Sequence, residues 1–265
     1  MVRPTYRRPA RYSVIRLTNR KLVPPLANGT VGHRAQTTMD PARPYAVLFD
    51  LDGTLIDSIE LILNSARHAF RDRNGHIPSD AEWLTGVGIP LATMFRRYAR
   101  DGTEVDALIA KYREYQLANH DRLVRCYDLV VETVDQLRAA GHPLGIVTSK
   151  TGWLAQRGLD NVGLGSHFDV IVGCDTCDKH KPDPGPVLFA LETLGYEPSD
   201  AVFVGDSIYD MEAGNAAGVT TVAALWGPFS RADLAASSPK HYLERICDLP
   251  RLLETVEAGG NKGSK

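Results

Sequence analysis

The run Tyr45-Ala46-Val47-Leu48-Phe49-Asp50-Leu51-Asp52-Gly53-Thr54-Leu55 decides how this chain folds. Its first five residues are apolar and bounded, with Pro44 before them and Gly53 soon after, the composition of a parallel strand buried on both faces. Asp50 and Asp52 follow at once. Open α/β sheets bind ligands at the carboxyl ends of their strands. An unpaired charge buried there costs on the order of several kcal/mol. Two such carboxylates side by side therefore require a metal ion or a positive side chain.

Further along, the chain repeats the same device. Leu144-Gly145-Ile146-Val147-Thr148-Ser149-Lys150 is an apolar strand ending in a hydroxyl residue, and Lys181-Pro182-Asp183-Pro184 sets a lysine in a Pro-bounded loop. Val202-Phe203-Val204-Gly205-Asp206-Ser207-Ile208-Tyr209-Asp210 is a strand running into a Gly-Asp-Ser-x-x-x-Asp turn. Together with Asp50–Leu55, and in this order, these segments resemble the four motifs of the haloacid dehalogenase superfamily over roughly residues 44 to 255.

The pattern around the motifs predicts an α/β fold: a Rossmann-like parallel sheet with helices on both faces. Strands are expected at 144–148, 169–173, 201–204 and 219–224, alternating with helices at 151–160, 184–194 and 208–217. A closing helix is expected from Leu249 to Val256. Between the first two motifs lie helical patterns at 57–73, 80–85, 90–99 and 103–122, broken by Gly86-Val87-Gly88-Ile89-Pro90. By resemblance, this insertion is a small α-helical cap that closes over the site. The expected division is a catalytic core of 40–57 and 126–257, a cap of 58–125, a basic extension of 1–39, and a disordered tail of 258–265.

The resemblance implies roles that physical chemistry makes reasonable. Uncatalysed phosphate-monoester hydrolysis is among the slowest reactions, and enzymes accelerate it by up to ~10²¹-fold. Asp50 is the expected nucleophile, forming an aspartyl-phosphate, and Asp52 the general acid and then base. Lys181, Thr148 and the backbone turns at Gly53 and Ser149 are expected to hold the phosphoryl group. The implied cofactor is Mg²⁺, held by Asp50, Asp206 and the Asp52 backbone carbonyl, with Asp210 in a supporting place. An Asp at position 52 suits phosphatases and phosphosugar mutases, where the phosphoenzyme must turn over.

Composition excludes several classes. Hydrophobic residues make up 43% of the 265 residues and charged residues 23%, ordinary for a globular protein. No apolar run is long enough to span a bilayer, so no membrane partner is expected. Residues 1–39 hold 8 basic residues and no acidic ones. Taking these from the chain's 30 leaves 22 basic against 32 acidic residues, a formal −10, for 40–265. Nucleic acid is therefore not an expected partner of the core. The leader is read as a disordered tail or sequence upstream of a start at Met39, in preference to a targeting segment or a nucleic-acid arm. Cys126, Cys174, Cys177 and Cys247 are too few for a disulfide scaffold, which points to a cytoplasmic protein, monomer or homodimer.

Several features are read plainly. Cys174 and Cys177 have redox or zinc spacing but no second ligand pair, and are taken as incidental. His180 is read as a solvent-facing loop residue, Trp83, Trp153 and Trp226 as core or seam residues, and Arg96 and Arg97 as solvated.

Substrate is the least legible property. Gly88-Ile89-Pro90-Leu91 resembles the specificity loop of phosphoglycolate phosphatases and related pyrophosphatases. Asn119–Val124 and Ala224–Phe229, with Arg231 and Leu234, resemble the same group. The expected substrate is a small phosphorylated metabolite, first 2-phosphoglycolate and next inorganic pyrophosphate. A phosphosugar mutase is a further alternative. A non-catalytic phospho-metabolite sensor is the last, since binding alone has no need of Asp52.

Overall fold

In the computed structural model, residues 44–260 are described. The expectations for residues 1–39 and 261–265 lie outside that range. Strand β1 (Ala46–Phe49) is fully buried and leads into a tight turn. There the Leu51 carbonyl accepts from Leu55 and Ile56 N–H at 3.0 Å each, and Gly53 takes φ +91°. Next come β2 (Ile56–Asp57) and α1 (Ile59–Phe70), α2 (Asp80–Leu84), α3 (Leu91–Arg96) and the long α4 (Gly102–Leu123). The chain returns through β3 (Arg125–Cys126), which pairs antiparallel with β2. The ways into and out of the inserted helices thus form one short ribbon.

After α5 (Val130–Ala139), strands and helices alternate: β4 (Leu144–Val147), α6 (Gly152–Asn161), β5 (Val170–Val172), α7 (Gly185–Leu194), β6 (Ala201–Gly205), α8 (Ile208–Ala217) and β7 (Thr220–Ala224). A short α9 (Arg231–Ala235), β8 (His241–Leu243) and α10 (Leu249–Gly260) complete the described chain. The main sheet has six strands in the order β5-β4-β1-β6-β7-β8, all parallel. This is the expected Rossmann-like arrangement.

Three apolar clusters hold these layers. One face of the sheet packs Phe49, Ile146 and Val204 against α5, α6 and α10. The other packs Leu48, Val147 and Phe203 against α7 and α8. A separate cluster joins α1 to α4 around Phe70, Trp83, Phe95 and Tyr112. Its rings meet edge-on or tilted, with Trp83 and Phe95 centroids 4.9 Å apart. The inserted helices therefore have a core of their own.

Two differences from the sequence reading concern the carboxyl-terminal part. Strand β8 and helix α9 were not anticipated, and α10 runs on to Gly260 rather than ending at Val256. Strand β8 is half-buried and reads His-Tyr-Leu, without the continuous apolar run that marks the central strands.

Candidate active site

Parallel pairing of β4, β1 and β6 sets Thr148, Asp50 and Asp206 side by side, each one residue beyond its strand. Chain order reverses around β1, since after β5 the path crosses back to β6; a crevice outside the strand ends is expected there. Lys181, from the loop between β5 and α7, reaches under this row. Its ammonium donates to Asp50 Oδ1 at 2.8 Å, Asp210 Oδ1 at 2.5 Å and the Val147 carbonyl at 3.2 Å. Asp50, Lys181, Asp206 and Asp210 are all buried.

Electrostatics follow from that burial. Loss of water pushes the Asp50 carboxyl well above the usual carboxylate range, and Lys181 only partly opposes it. Asp206 is raised too, by burial and then by the Asp50 and Asp210 charges. For Lys181 burial works against the charge, but Asp210 and Asp50 outweigh it and hold the ammonium above its ordinary range. One ammonium thus faces three crowded carboxylates, and positive charge is in deficit.

The donor set fits a hard divalent cation. Ligand atoms of Asp50, Asp206 and Asp210 lie within 4.8 Å of one another. Both Asp210 oxygens are engaged, Oδ1 by Lys181 and Oδ2 by the Ser207 amide at 3.0 Å and hydroxyl at 2.5 Å, in the capping box that opens α8. Asp206 Oδ1 accepts from Thr54 at 2.6 Å, whereas its Oδ2 is buried without a partner among the described residues. An orphaned carboxylate oxygen in a dry site is costly unless a cation meets it. Gly53 and Gly227 keep the space beside it clear: a Cβ on either would fall against Asp206.

Asp52 stands apart from this cluster. Its Oδ1 accepts from Lys150 Nζ at 2.7 Å and from Ser58 Oγ at 2.5 Å. The Asp52 carboxylate is thus held by Lys150 and Ser58, and it is the backbone carbonyl of this residue that was expected to meet the metal. Lys150, quoted with its strand but given no role, proves to be the counter-charge to Asp52.

A cavity of about 320 Å³ opens between this row and the inserted helices. Asp50, Asp52 and Thr148 line its floor, and Gly88, Ile89 and Pro90 line its wall. Ser149 also lines it, but its hydroxyl donates to the Gly88 carbonyl at 2.6 Å rather than being free for a ligand. Gly88 has φ +108°, and a Cβ there would stand 2.7 Å from Ser207 Oγ.

One plain reading needs correction. His180 lines the cavity instead of facing solvent, because its loop turns back to deliver Lys181. Arg97 is exposed, and it also donates to the Tyr209 hydroxyl at 3.2 Å, bridging the end of α3 to α8. Trp83 is buried in the insertion, and Trp226 packs at the core and donates its indole N–H to the Thr54 carbonyl at 2.8 Å. Sequence reasoning missed Lys150, Thr54 and Ser58, and also Tyr112, Arg113 and Gln116, which reach the cavity from α4. Only Lys150 and Thr54 carried a signal, through adjacency to Ser149 and Gly53.

Residues 47–224 match the model of a family described as haloacid dehalogenase-like hydrolase. The pyrophosphatase PpaX of Bacillus velezensis is 39% identical over 214 residues, covering 80% of this chain and 97% of that protein. The pyrophosphatase PpaX of Bacillus mycoides is 37% identical over 210 residues, covering 79% and 97%. Among solved structures, a predicted phosphoglycolate phosphatase from Haemophilus somnus 129pt superposes with a TM-score of 0.72 at 26% identity, covering 80% of this chain and 99% of that one.

Proposed function

The chain belongs to the haloacid dehalogenase-like hydrolases, and from that premise we propose a Mg²⁺-dependent phosphohydrolase that cleaves inorganic pyrophosphate through an aspartyl-phosphate on Asp50. The observation that carries this reading is Lys181, whose ammonium is shared by Asp50 and Asp210 beside the unpartnered Asp206 Oδ2.

In the first step the free oxygen of Asp50 attacks phosphorus as the bond to the leaving oxygen breaks, and Asp52 gives its proton to that oxygen. Lys181 holds the Asp50 carboxylate in place and offsets the negative charge gathering between nucleophile and phosphoryl group. The Thr148 hydroxyl, at the cavity floor, donates to a phosphoryl oxygen. In the second step Asp52 takes a proton from water, the water oxygen bonds to phosphorus, and the Asp50 carboxylate leaves. Ser58 and Lys150 fix the Asp52 carboxylate for both transfers. Asp50, Asp206 and the Asp52 carbonyl would hold Mg²⁺, which would supply the positive charge this site lacks.

We place the cap at residues 58–125, the chain between the paired ends of β2 and β3. Its own aromatic core supports movement as a unit, and its contacts through Gly88 and Arg97 support closure over the cavity, where exclusion of water strengthens the electrostatics.

Pyrophosphate stands ahead of 2-phosphoglycolate, the first expectation from sequence, because the relatives named pyrophosphatase share more of this chain's residues. The phosphoglycolate reading is kept because the solved structure carrying that name has the same fold over nearly its whole length. No helix among the described residues is long and apolar enough to cross a membrane. A cytoplasmic site of action is supported by four unpaired cysteines. A panel of pyrophosphate, 2-phosphoglycolate and sugar phosphates assayed with Mg²⁺ tests the substrate: pyrophosphate should lead in kcat/KM by at least about tenfold, a difference of about 1.4 kcal/mol. A lead for 2-phosphoglycolate would transfer the assignment to it.

A further inference from the structure

The α4 side of the cavity carries polar groups that the catalytic steps do not use. Ile109, Tyr112, Arg113 and Gln116 lie three or four residues apart and so share one face of the helix, and all four line the cavity. Tyr112 and Gln116 are 3% and 7% exposed, yet neither side chain has a hydrogen-bond partner among the described residues. Arg113, half-buried between them, has no carboxylate partner among the described residues either. Arg73, likewise only partly exposed in the inserted helices, is paired with Glu104. The polar ends of Tyr112, Arg113 and Gln116 open into the cavity, where convergent polar groups on a largely apolar wall are what a ligand would meet.

The charge of the missing ligand can be read. The charged side chains of the lining are Asp50, Asp52, Lys150 and Arg113, with His180 titratable. Lys181 serves Asp50 and Lys150 serves Asp52, which leaves the Arg113 guanidinium as the uncompensated cation. A guanidinium fork with an amide and a phenol beside it suits a planar or tetrahedral anion. Ile62, Ile109 and Leu154 give the cavity an apolar stretch beside these groups.

We infer that Arg113, flanked by Tyr112 and Gln116, forms a subsite for a second anionic group on the substrate, so that the preferred substrates are small phosphates with an anionic tail. This rests on the proposed catalytic reading for the placement of the reacting phosphoryl group at Asp50. The shared tail chemistry is a carboxylate or a second phosphate. A phosphate ester whose remaining part is neutral would leave Arg113 unpaired.

Calorimetric binding of non-hydrolysable probes tests the inference on the full chain with excess Mg²⁺. The probes are methylenediphosphonate, 3-phosphonopropionate and the neutral-tailed propylphosphonate. The wild-type chain should bind one or both anionic-tailed probes at least about tenfold more tightly than propylphosphonate. Arg113→Ala should shrink that advantage to less than about threefold without changing propylphosphonate affinity, and Arg113→Lys, which keeps a point charge, should restore part of it. The larger advantage identifies the tail as phosphate or carboxylate. An advantage that survives Arg113→Ala, or an equal loss for all three probes, overturns the subsite. A wild-type chain that shows the preference yet releases phosphate from no substrate keeps the subsite and rejects the hydrolase reading.

Discussion

The Ser149 hydroxyl donates to the Gly88 carbonyl across 2.6 Å, so the loop between α2 and α3 is fastened to the end of β4. Ser149 follows Thr148, and Gly88 walls the cavity. The same bond that positions the loop therefore ties it to the residue proposed to grip the phosphoryl group. Two more contacts reinforce it: Arg97 and the Thr85 carbonyl both meet the Tyr209 hydroxyl, at 3.2 and 3.1 Å.

Gly88→Ala tests that fastening. The new Cβ would press on Ser207 and Tyr209, and φ +108° is itself unfavourable for alanine. A cost of about 1–3 kcal/mol is expected, borne by the closed arrangement rather than by the core. Steady-state kinetics should show a raised KM, and thermal unfolding of the core should hardly change. An unaltered KM would mean that the loop does not close on substrate.

Asp52→Asn removes the proposed proton carrier and leaves Asp50, Lys181 and Asp206 in place. The expected fall in kcat is about 10²–10⁴-fold. Because water attack also needs this residue as base, phosphoenzyme should accumulate when the leaving group is activated and needs no proton. Rapid-quench measurement with an aryl phosphate reads this directly. Undiminished turnover would remove Asp52 from the mechanism.

Acid should loosen the inserted helices first. Glu104 is pulled from its ordinary 4.5 down to about 2 by its hydrogen bonds to the Arg73 guanidinium and the Arg100 amide. A carboxyl with a depressed folded pKa adds stability that is complete above its unfolded pKa and disappears as pH falls through the folded value. The stability gap between wild type and Glu104→Gln, taken from urea unfolding, should be constant above about pH 5 and shrink between pH 4.5 and about 2. A gap independent of pH would show that the carboxylate charge contributes nothing.

The parts of the molecule that could be read from sequence are those where one physical demand fixes several adjacent residues. Strands β1, β4 and β6 are buried on both faces, so each is a continuous apolar run, and the polar residue that ends each run marks the site. The ribbon of β2 and β3 is two residues on each side and left no periodicity to read. Half-buried β8 mixes polar and apolar residues and was lost for the same reason. In the site, Asp50, Lys181 and Asp206 stand at strand ends or in a Pro-bounded loop, where their chemistry has no packing explanation. Arg113 and Gln116 were invisible because α4 is polar around most of its surface, and a cavity-facing arginine there has the same local sequence as a solvated one. His180 was misread because the cavity it lines is assembled from distant segments, which no local pattern encodes.

The central claim is that Asp50 carries the phosphoryl group during turnover. Its most direct test is to quench the Mg²⁺-loaded protein in acid within milliseconds of mixing with substrate, then digest it and weigh the peptides. The account predicts one added phosphoryl group on Asp50, labile to hydroxylamine and absent from Asp50→Asn. Phosphate released at the normal rate with Asp50 never modified, or with the label on another residue, would contradict it.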